Sequence, residues 1–339
     1  MQPTLSKISN PAIQLQQLRI KHSRIDEVLT ELDTLIYPGN QDSILVIGPT
    51  GVGKTMLAKH MRDSAVQAAV NEMQADAGHI PAVYVEAPSS GEKEFSWRLF
   101  FQRILAQLEG ELNLPKVHYG IDTASGRFVK PRGQSNNSLA ALRTSVERAL
   151  KERGTRFLVI DEAAHIIRQS SNQRLCVQLD TLKSLTNACG TQIVLVGSYD
   201  LYPLVSLSAQ LARRLHVLHF ERYRLDSDTD IRAFRACIRS FERTLPDLWE
   251  GKLLLHADAL QENTLGCIGT LSSVLTRAAM LAQQAGKWSD EVLRRALLTD
   301  AQHKQILSET LDGEMAINPS LTRTFAEEKP KQFGKRSAA

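Results

Sequence analysis

Cysteine is scarce in this chain: four residues among 339, at positions 176, 189, 237 and 267, with no C-x-x-C pair. That spacing offers neither a zinc site nor a disulfide framework, and buried thiols in a reducing compartment are the expectation. Long apolar runs are missing too. No stretch approaches the ~20 residues that span a bilayer, and Met1-Gln2-Pro3-Thr4 lacks the basic-then-apolar pattern of a secretory signal. A cytoplasmic protein with no membrane role is expected. No internal repeat is visible, which removes solenoid and propeller architectures. Strong net charge is absent as well, at +4, yet the charge is uneven: between Arg98 and Arg156 eleven Lys/Arg stand against five Asp/Glu. A local excess of that sign points to a polyanionic partner, nucleic acid first.

What is present is organised around one stretch. In Ser43-Ile44-Leu45-Val46-Ile47 the apolar run Ile44 to Ile47 reads as a short buried strand. It breaks into Gly48-Pro49-Thr50-Gly51-Val52-Gly53-Lys54-Thr55 and passes into a helix from Met56. This is G-x-x-x-x-G-K-[ST] in the strand–loop–helix setting that its chemistry needs. Glycines let backbone N–H groups turn inward around phosphate oxygens, and the helix N-terminus adds partial positive charge there. Residues Gly48 to Met56 would hold the nucleotide, Lys54 reaching the β- and γ-phosphates and the Thr55 hydroxyl holding Mg²⁺. ATP with Mg²⁺ is the expected cofactor pair.

Around that loop the pattern alternates. Arg24 to Ile36 carries a helical apolar stripe, and Met56 to about Ala75 reads as one long helix. Strands are expected at Pro81–Glu86, Phe157–Glu162, Gln192–Ser198 and Leu215–Phe220, with helices at Glu94–Leu112, Ser138–Arg153 and Arg174–Cys189. The result is an α/β fold with a parallel sheet covered on both faces. Beyond Leu225 only helices are expected, the last over Ser289 to about Leu307. The chain divides into a polar extension (1–22), a nucleotide-binding α/β domain (23–225), an α-helical lid (226–310) and a flexible C-terminal tail (311–339).

The second half of a nucleotide site follows from the strand ends. Asp161 would bind Mg²⁺ through its water shell, and Glu162 would orient the water that attacks the γ-phosphate. Ser198 closes a neighbouring strand as a candidate polar sensor. His165 suggests a relay, although a lone histidine on such a helix is more often structural. Arg213 and Arg214 precede the last strand, where an arginine can project into a neighbouring subunit's site, and the Gln210-Leu211 spacing favours Arg214.

Together these features resemble the AAA+ ATPases from about Ser23 to Ala301. Within that class the chain resembles the TniB/TnsC family of transposition regulators. The pointers are Leu158-Val159-Ile160-Asp161-Glu162-x-x-His165, Val196-Gly197, Gln210-Leu211-x-x-Arg214 and Gly266-Cys267-Ile268-Gly269-x-Leu271-x-x-Val274-Leu275-x-x-Ala278-Ala279. The resemblance implies homo-oligomeric rings or helical filaments on double-stranded DNA. It also implies a DDE-type transposase and a TniQ-like target selector, with or without a CRISPR effector, as partners. One departure is that AAA+ lids commonly carry a sensor arginine where this chain has Ser272, with Arg277 further along. Turnover is then expected to be slow. A DNA-processing AAA+ motor or helicase loader is the alternative reading.

Two basic features compete for DNA. Lys116, Arg127, Lys130 and Arg132 lie in a Gly/Pro-rich stretch, 113–137, and long loops in compact domains are usually functional. The rival is Arg232, Arg235, Arg239 and Arg243, whose spacing places all four on one helix face. The loop is the first choice.

Overall fold

The computed structural model describes residues 11–20, 22–37, 39–40, 42–89, 91, 95–109, 120–121, 128–129, 138–167, 172–206 and 213–318. Five parallel strands form the central sheet in the order β2-β5-β6-β1-β7. They are β1 (Ser43–Ile47), β2 (Ala82–Glu86), β5 (Phe157–Asp161), β6 (Gln192–Gly197) and β7 (Leu215–His219). β3 (Gly120–Ile121) and β4 (Phe128–Val129) pair as a separate antiparallel ribbon, so the stretch read as irregular contains two short strands.

The strands read as continuous apolar runs because both sheet faces are covered. Alternate residues serve opposite layers. Ile44, Val46, Val159, Val194 and Val196 pack with Leu32, Leu57 and Met61, from helices Ser23–Leu35 and Lys54–Ala68. Leu45, Ile47, Leu158, Ile160 and Leu195 pack with Phe100, Ile104, Val146 and Leu182, from helices Trp97–Glu109, Leu139–Glu152 and Asn172–Cys189. Each such fully buried side chain contributes about 1.5–3 kcal/mol.

The lid has its own core. Helices Asp228–Thr244 and Ile268–Ala285 supply Phe234, Ile238, Phe241, Leu271, Val274 and Leu275 around Trp249. Leu15 of helix Pro11–Gln17 is also in this core, so the first helix of the polar extension packs on the lid. Ser227 and Ser289 cap two lid helices by accepting N–H bonds, and Thr299 with Gln302 forms a capping box for Asp300–Ile317.

Two helices differ from expectation. The one after the phosphate loop kinks at Ala69 into Lys54–Ala68 and Val70–Ala75, with Ala69 still bonded to Ala65 and Met73. The one expected to end near Leu307 is two helices, Asp290–Ala296 and Asp300–Ile317, so residues 311–317 are helical. Of the cysteines, Cys237 and Cys267 are buried, with thiols pushed up to about 12 by desolvation, whereas Cys189 is half-buried. Among the described residues no helix is long and apolar enough to cross a membrane.

Candidate active site

The phosphate loop is fixed at its base by the edge strand. Phe220 donates its N–H to the Ile47 carbonyl at 2.8 Å, and a Cβ on Gly48 would collide with the Phe220 carbonyl oxygen. Gly51 and Gly53 take φ of +80° and +117°, which suits residues without a Cβ. A Cβ on Gly51 would also strike the Thr270 hydroxyl, because the lid helix begins against the loop. Thr270 donates its N–H to the Gly51 carbonyl at 3.0 Å.

Lys54 folds across the loop and donates to the carbonyls of Gly48 (3.0 Å) and Pro49 (2.8 Å). Two of the three ammonium donors are used in this way. Desolvation holds its pKa below the usual lysine value, against the pull of Cys267, Glu162 and Asp161.

Asp161, 2% exposed, ends β5. One carboxylate oxygen accepts the Glu162 N–H at 2.9 Å and the other accepts the Tyr84 hydroxyl at 3.0 Å. Burial, then the Asp161 charge, raises the Tyr84 phenol. Glu162 adopts φ of +51°, a left-handed conformation costing about 1 kcal/mol or more in a non-glycine residue. The Asp161 bond and the His165 N–H donated to the Glu162 carbonyl at 3.0 Å hold that turn. It leaves the Glu162 side chain exposed, lining a cavity of about 410 Å³ with Thr50, Gly51, Lys54, Thr55, Met56, Ser198 and Gly269.

Ser198 follows β6, and its hydroxyl oxygen is buried without a partner among the described residues. His165 donates a ring N–H to the Ala87 carbonyl at 3.1 Å, tying its helix to the end of β2. That bond is a strut. Arg214 stands at the start of β7, its carbonyl accepting the Ser43 N–H at 3.0 Å. It therefore lies at the opposite end of the sheet from the phosphate loop, about 16 Å away over five strand residues. It is half-buried and Arg213 is exposed. Lys116, Arg127, Lys130 and Arg132 lie outside the residues whose side chains are described.

Several contributors had no local signature. Tyr84 was hidden in an apolar strand, although its polar tip in such a run was the available signal. The C-terminal helix was hidden more deeply. Its Gly313 lies so close to the Tyr199 ring that a Cβ there would collide. Its Glu314, 2% exposed, accepts two bonds from Arg222, at 2.7 and 3.2 Å. Tyr199 in turn bonds its hydroxyl to His219 Nε2 at 2.9 Å. A further cavity of about 490 Å³, shared by Pro49, Thr50, Ser198 and this helix, opens beside the phosphate site.

The donor set fits a magnesium nucleotide. The Thr55 hydroxyl and Asp161 carboxylate are hard oxygen ligands, and each Asp161 oxygen keeps lone pairs beyond its one hydrogen bond. The loop glycines form a backbone cradle that side chains would fill. Such a loop at the end of β1, with Asp161-Glu162 ending β5 and a helical lid seated on the loop, defines a P-loop NTPase with the AAA+ fold.

Residues 38–205 match the family model described as an AAA domain, so that segment is similar to AAA-family ATPase domains. The ORC1-type DNA replication protein 2 of Thermoplasma acidophilum is 23% identical over 197 residues, 58% of this chain and 41% of that protein. The chain thus spans about two fifths of the curated relative it matches. Two solved structures share the fold at 16% identity. The Aeropyrum pernix ORC2 protein, in ADPNP–ADP complexes, has a TM-score of 0.53 and covers 82% of this chain and 67% of its own. The Aeropyrum pernix ORC1 protein in complex with DNA has a TM-score of 0.52, covering 85% and 68%. The AAA+ class is upheld, and the narrower likeness to TniB/TnsC regulators gains nothing from these matches.

Proposed function

We propose that this chain is a DNA-processing AAA+ ATPase of the initiator or helicase-loader kind, using ATP as an assembly switch on double-stranded DNA. The observation that carries the reading is the single cavity where Lys54, Thr55, Glu162 and Ser198 converge under the lid residue Gly269. Its DNA side is supported by the replication relatives.

In this reading the loop N–H groups and Lys54 hold the phosphates, and Thr55 and Asp161 hold Mg²⁺, which supplies charge neutralisation at the β- and γ-phosphates. Glu162 accepts a hydrogen bond from the attacking water and takes up its proton. Ser198 donates to the γ-phosphate. Arg214, too far from its own loop, serves the site of the next subunit in a homo-oligomer. Lys116, Arg127, Lys130 and Arg132 contact DNA phosphates. Ser272 leaves the usual lid-arginine position without a cation, which favours slow turnover.

ATP hydrolysis measured with and without duplex DNA tests the reading. DNA-stimulated turnover that is lost in Arg214→Ala supports it; turnover indifferent to DNA at every protein concentration overturns it. A second reading, regulation of transposition with a DDE-type transposase and a TniQ-like selector, rests on the Asp161-Glu162-x-x-His165 and Gly266–Ala279 resemblance. Stimulation of strand transfer by a purified transposase separates it from loading of a helicase.

A further inference from the structure

The lid helix Asp228–Thr244 has two faces of opposite chemistry. Phe234, Cys237, Ile238 and Phe241 are buried, whereas Arg232, Arg235, Arg239 and Arg243 are all exposed. Intervals of three, four and four residues bring the guanidinium groups into one row along about 16 Å of helix axis. Arg235 pairs with Asp258 at 2.9 Å, and Arg232 lies 3.4 Å from the Thr229 hydroxyl. Arg239 and Arg243 have no side-chain partner among the described residues. Like charges four residues apart destabilise a helix, and for Arg239 and Arg243 no described side chain offsets that repulsion.

The row is also rigidly mounted. Asp230, in the first turn of the helix and 6% exposed, accepts two bonds from Arg24, at 3.1 and 3.0 Å. It also accepts the Arg224 N–H at 2.8 Å. These bonds fix the helix to the nucleotide-binding domain.

We infer that this face is a docking surface for the phosphate backbone of duplex DNA, an inference that rests on the DNA-associated reading above. The chemistry of the face selects the partner. Besides the arginines, its exposed positions carry only Asp228, Thr229 and Ala236. A protein interface would present an apolar or aromatic anchor, and a single-strand groove would present aromatic rings for base stacking. Guanidinium groups match phosphate oxygens bidentately, and phosphates recur at about 3.4 Å of rise along each strand, so a straight row meets several of them. Such contacts hold the duplex without reading its sequence.

The test is fluorescence anisotropy of the full chain, with Mg-ATP, on a labelled duplex of arbitrary sequence between about 50 and 200 mM salt. Arg239→Ala/Arg243→Ala is expected to lower the slope of log affinity against log salt by about two units and to weaken binding tenfold or more at the low-salt end. Nucleotide affinity and Tm stay at wild-type values, since both side chains are exposed. Arg239→Lys/Arg243→Lys keeps most of the slope, which separates lost charge from a disturbed fold. An unchanged slope in the alanine variant overturns the inference while leaving the functional reading intact. Lost self-association with unaltered DNA binding also overturns it, by assigning the row to an acidic face of a second copy. If the wild type binds no duplex at any salt concentration, the functional reading falls, and this one with it.

Discussion

At the carboxyl ends of β1, β5 and β6 the chain gathers an ammonium, three hydroxyls and an exposed carboxylate around a cavity of about 410 Å³. At the amino ends of β5 and β6 lies a larger one, about 780 Å³, between helices Ser23–Leu35 and Lys54–Ala68. Leu29, Leu32, Met61, Ala65 and Phe157 line it, and its polar side chains serve the fold. Gln192 donates to the carbonyls of Leu35 and Asp42, and Arg156 binds Glu72. Two oxygens there, Gln192 Oε1 and Thr155 Oγ1, have no partner among the described residues, a need that water meets as readily as a ligand. Both cavities have glycines at positive φ, Gly39, Gly154 and Gly190 in the larger and Gly51 and Gly53 in the smaller, but a non-glycine residue in that conformation, Glu162, lines the smaller one alone. The proposed chemistry therefore rests on the strained Glu162 beside Lys54, Thr55 and Ser198, not on cavity volume.

The contrast breaks most visibly at the carboxyl end. Lys54→Ala is expected to abolish ATP binding, and Glu162→Gln to keep binding while losing about 10²–10⁴ in kcat, the usual worth of a positioned base. Nucleotide titration and phosphate release measure the two, and equal hydrolysis by Glu162→Gln and wild type would move the base elsewhere.

Next in size is the pair beside that cavity. Glu314→Ala strands the Arg222 guanidinium, 14% exposed, and is expected to cost about 3–5 kcal/mol by denaturant unfolding. Arg222→Met/Glu314→Leu, which removes both charges, should recover most of it; a cost below 1 kcal/mol for the single change would show that solvent reaches the pair.

A pH effect is smaller. Burial depresses His219 from 6.5 to about 4, so it is neutral when folded. Between those values the unfolded chain binds the proton and the folded chain does not, so stability falls as pH drops from about 6.5 towards 4, by up to about 3 kcal/mol. His219→Gln should flatten that slope in melts run across the same range, though His22, also lowered to about 4, contributes in the same direction.

The amino end sharpens the comparison by responding least. Ala65→Val, at the wall of the larger cavity, is expected to shift stability by no more than about 0.5 kcal/mol and to leave ATP turnover within twofold. A large loss of activity would give that cavity a role that its lining does not announce.

What could be read in advance follows from range. The phosphate loop, the strand-end carboxylates and the parallel sheet are written in runs of five to ten residues, where periodicity and turn chemistry speak directly. Tyr84 reaching Asp161 across 77 residues, and Arg222 reaching Glu314 across 92, leave no such trace, because an amphipathic pattern records that a face is covered and not by what. The kink at Ala69 escaped for another reason: it carries neither Pro nor Gly, and its backbone bonds continue through it.

The seat of the lid on the phosphate loop has a mechanical meaning. Gly269 sits so near the Gly51 carbonyl, 2.6 Å from where a Cβ would stand, that loop and helix have no slack between them. The helix that starts there runs 18 residues, about 27 Å. A tilt of about 5° at the loop therefore sweeps its far end by about 2 Å. Were the loop to tilt that helix, the displacement at Ala285 would exceed the one at Gly51 in proportion to that length.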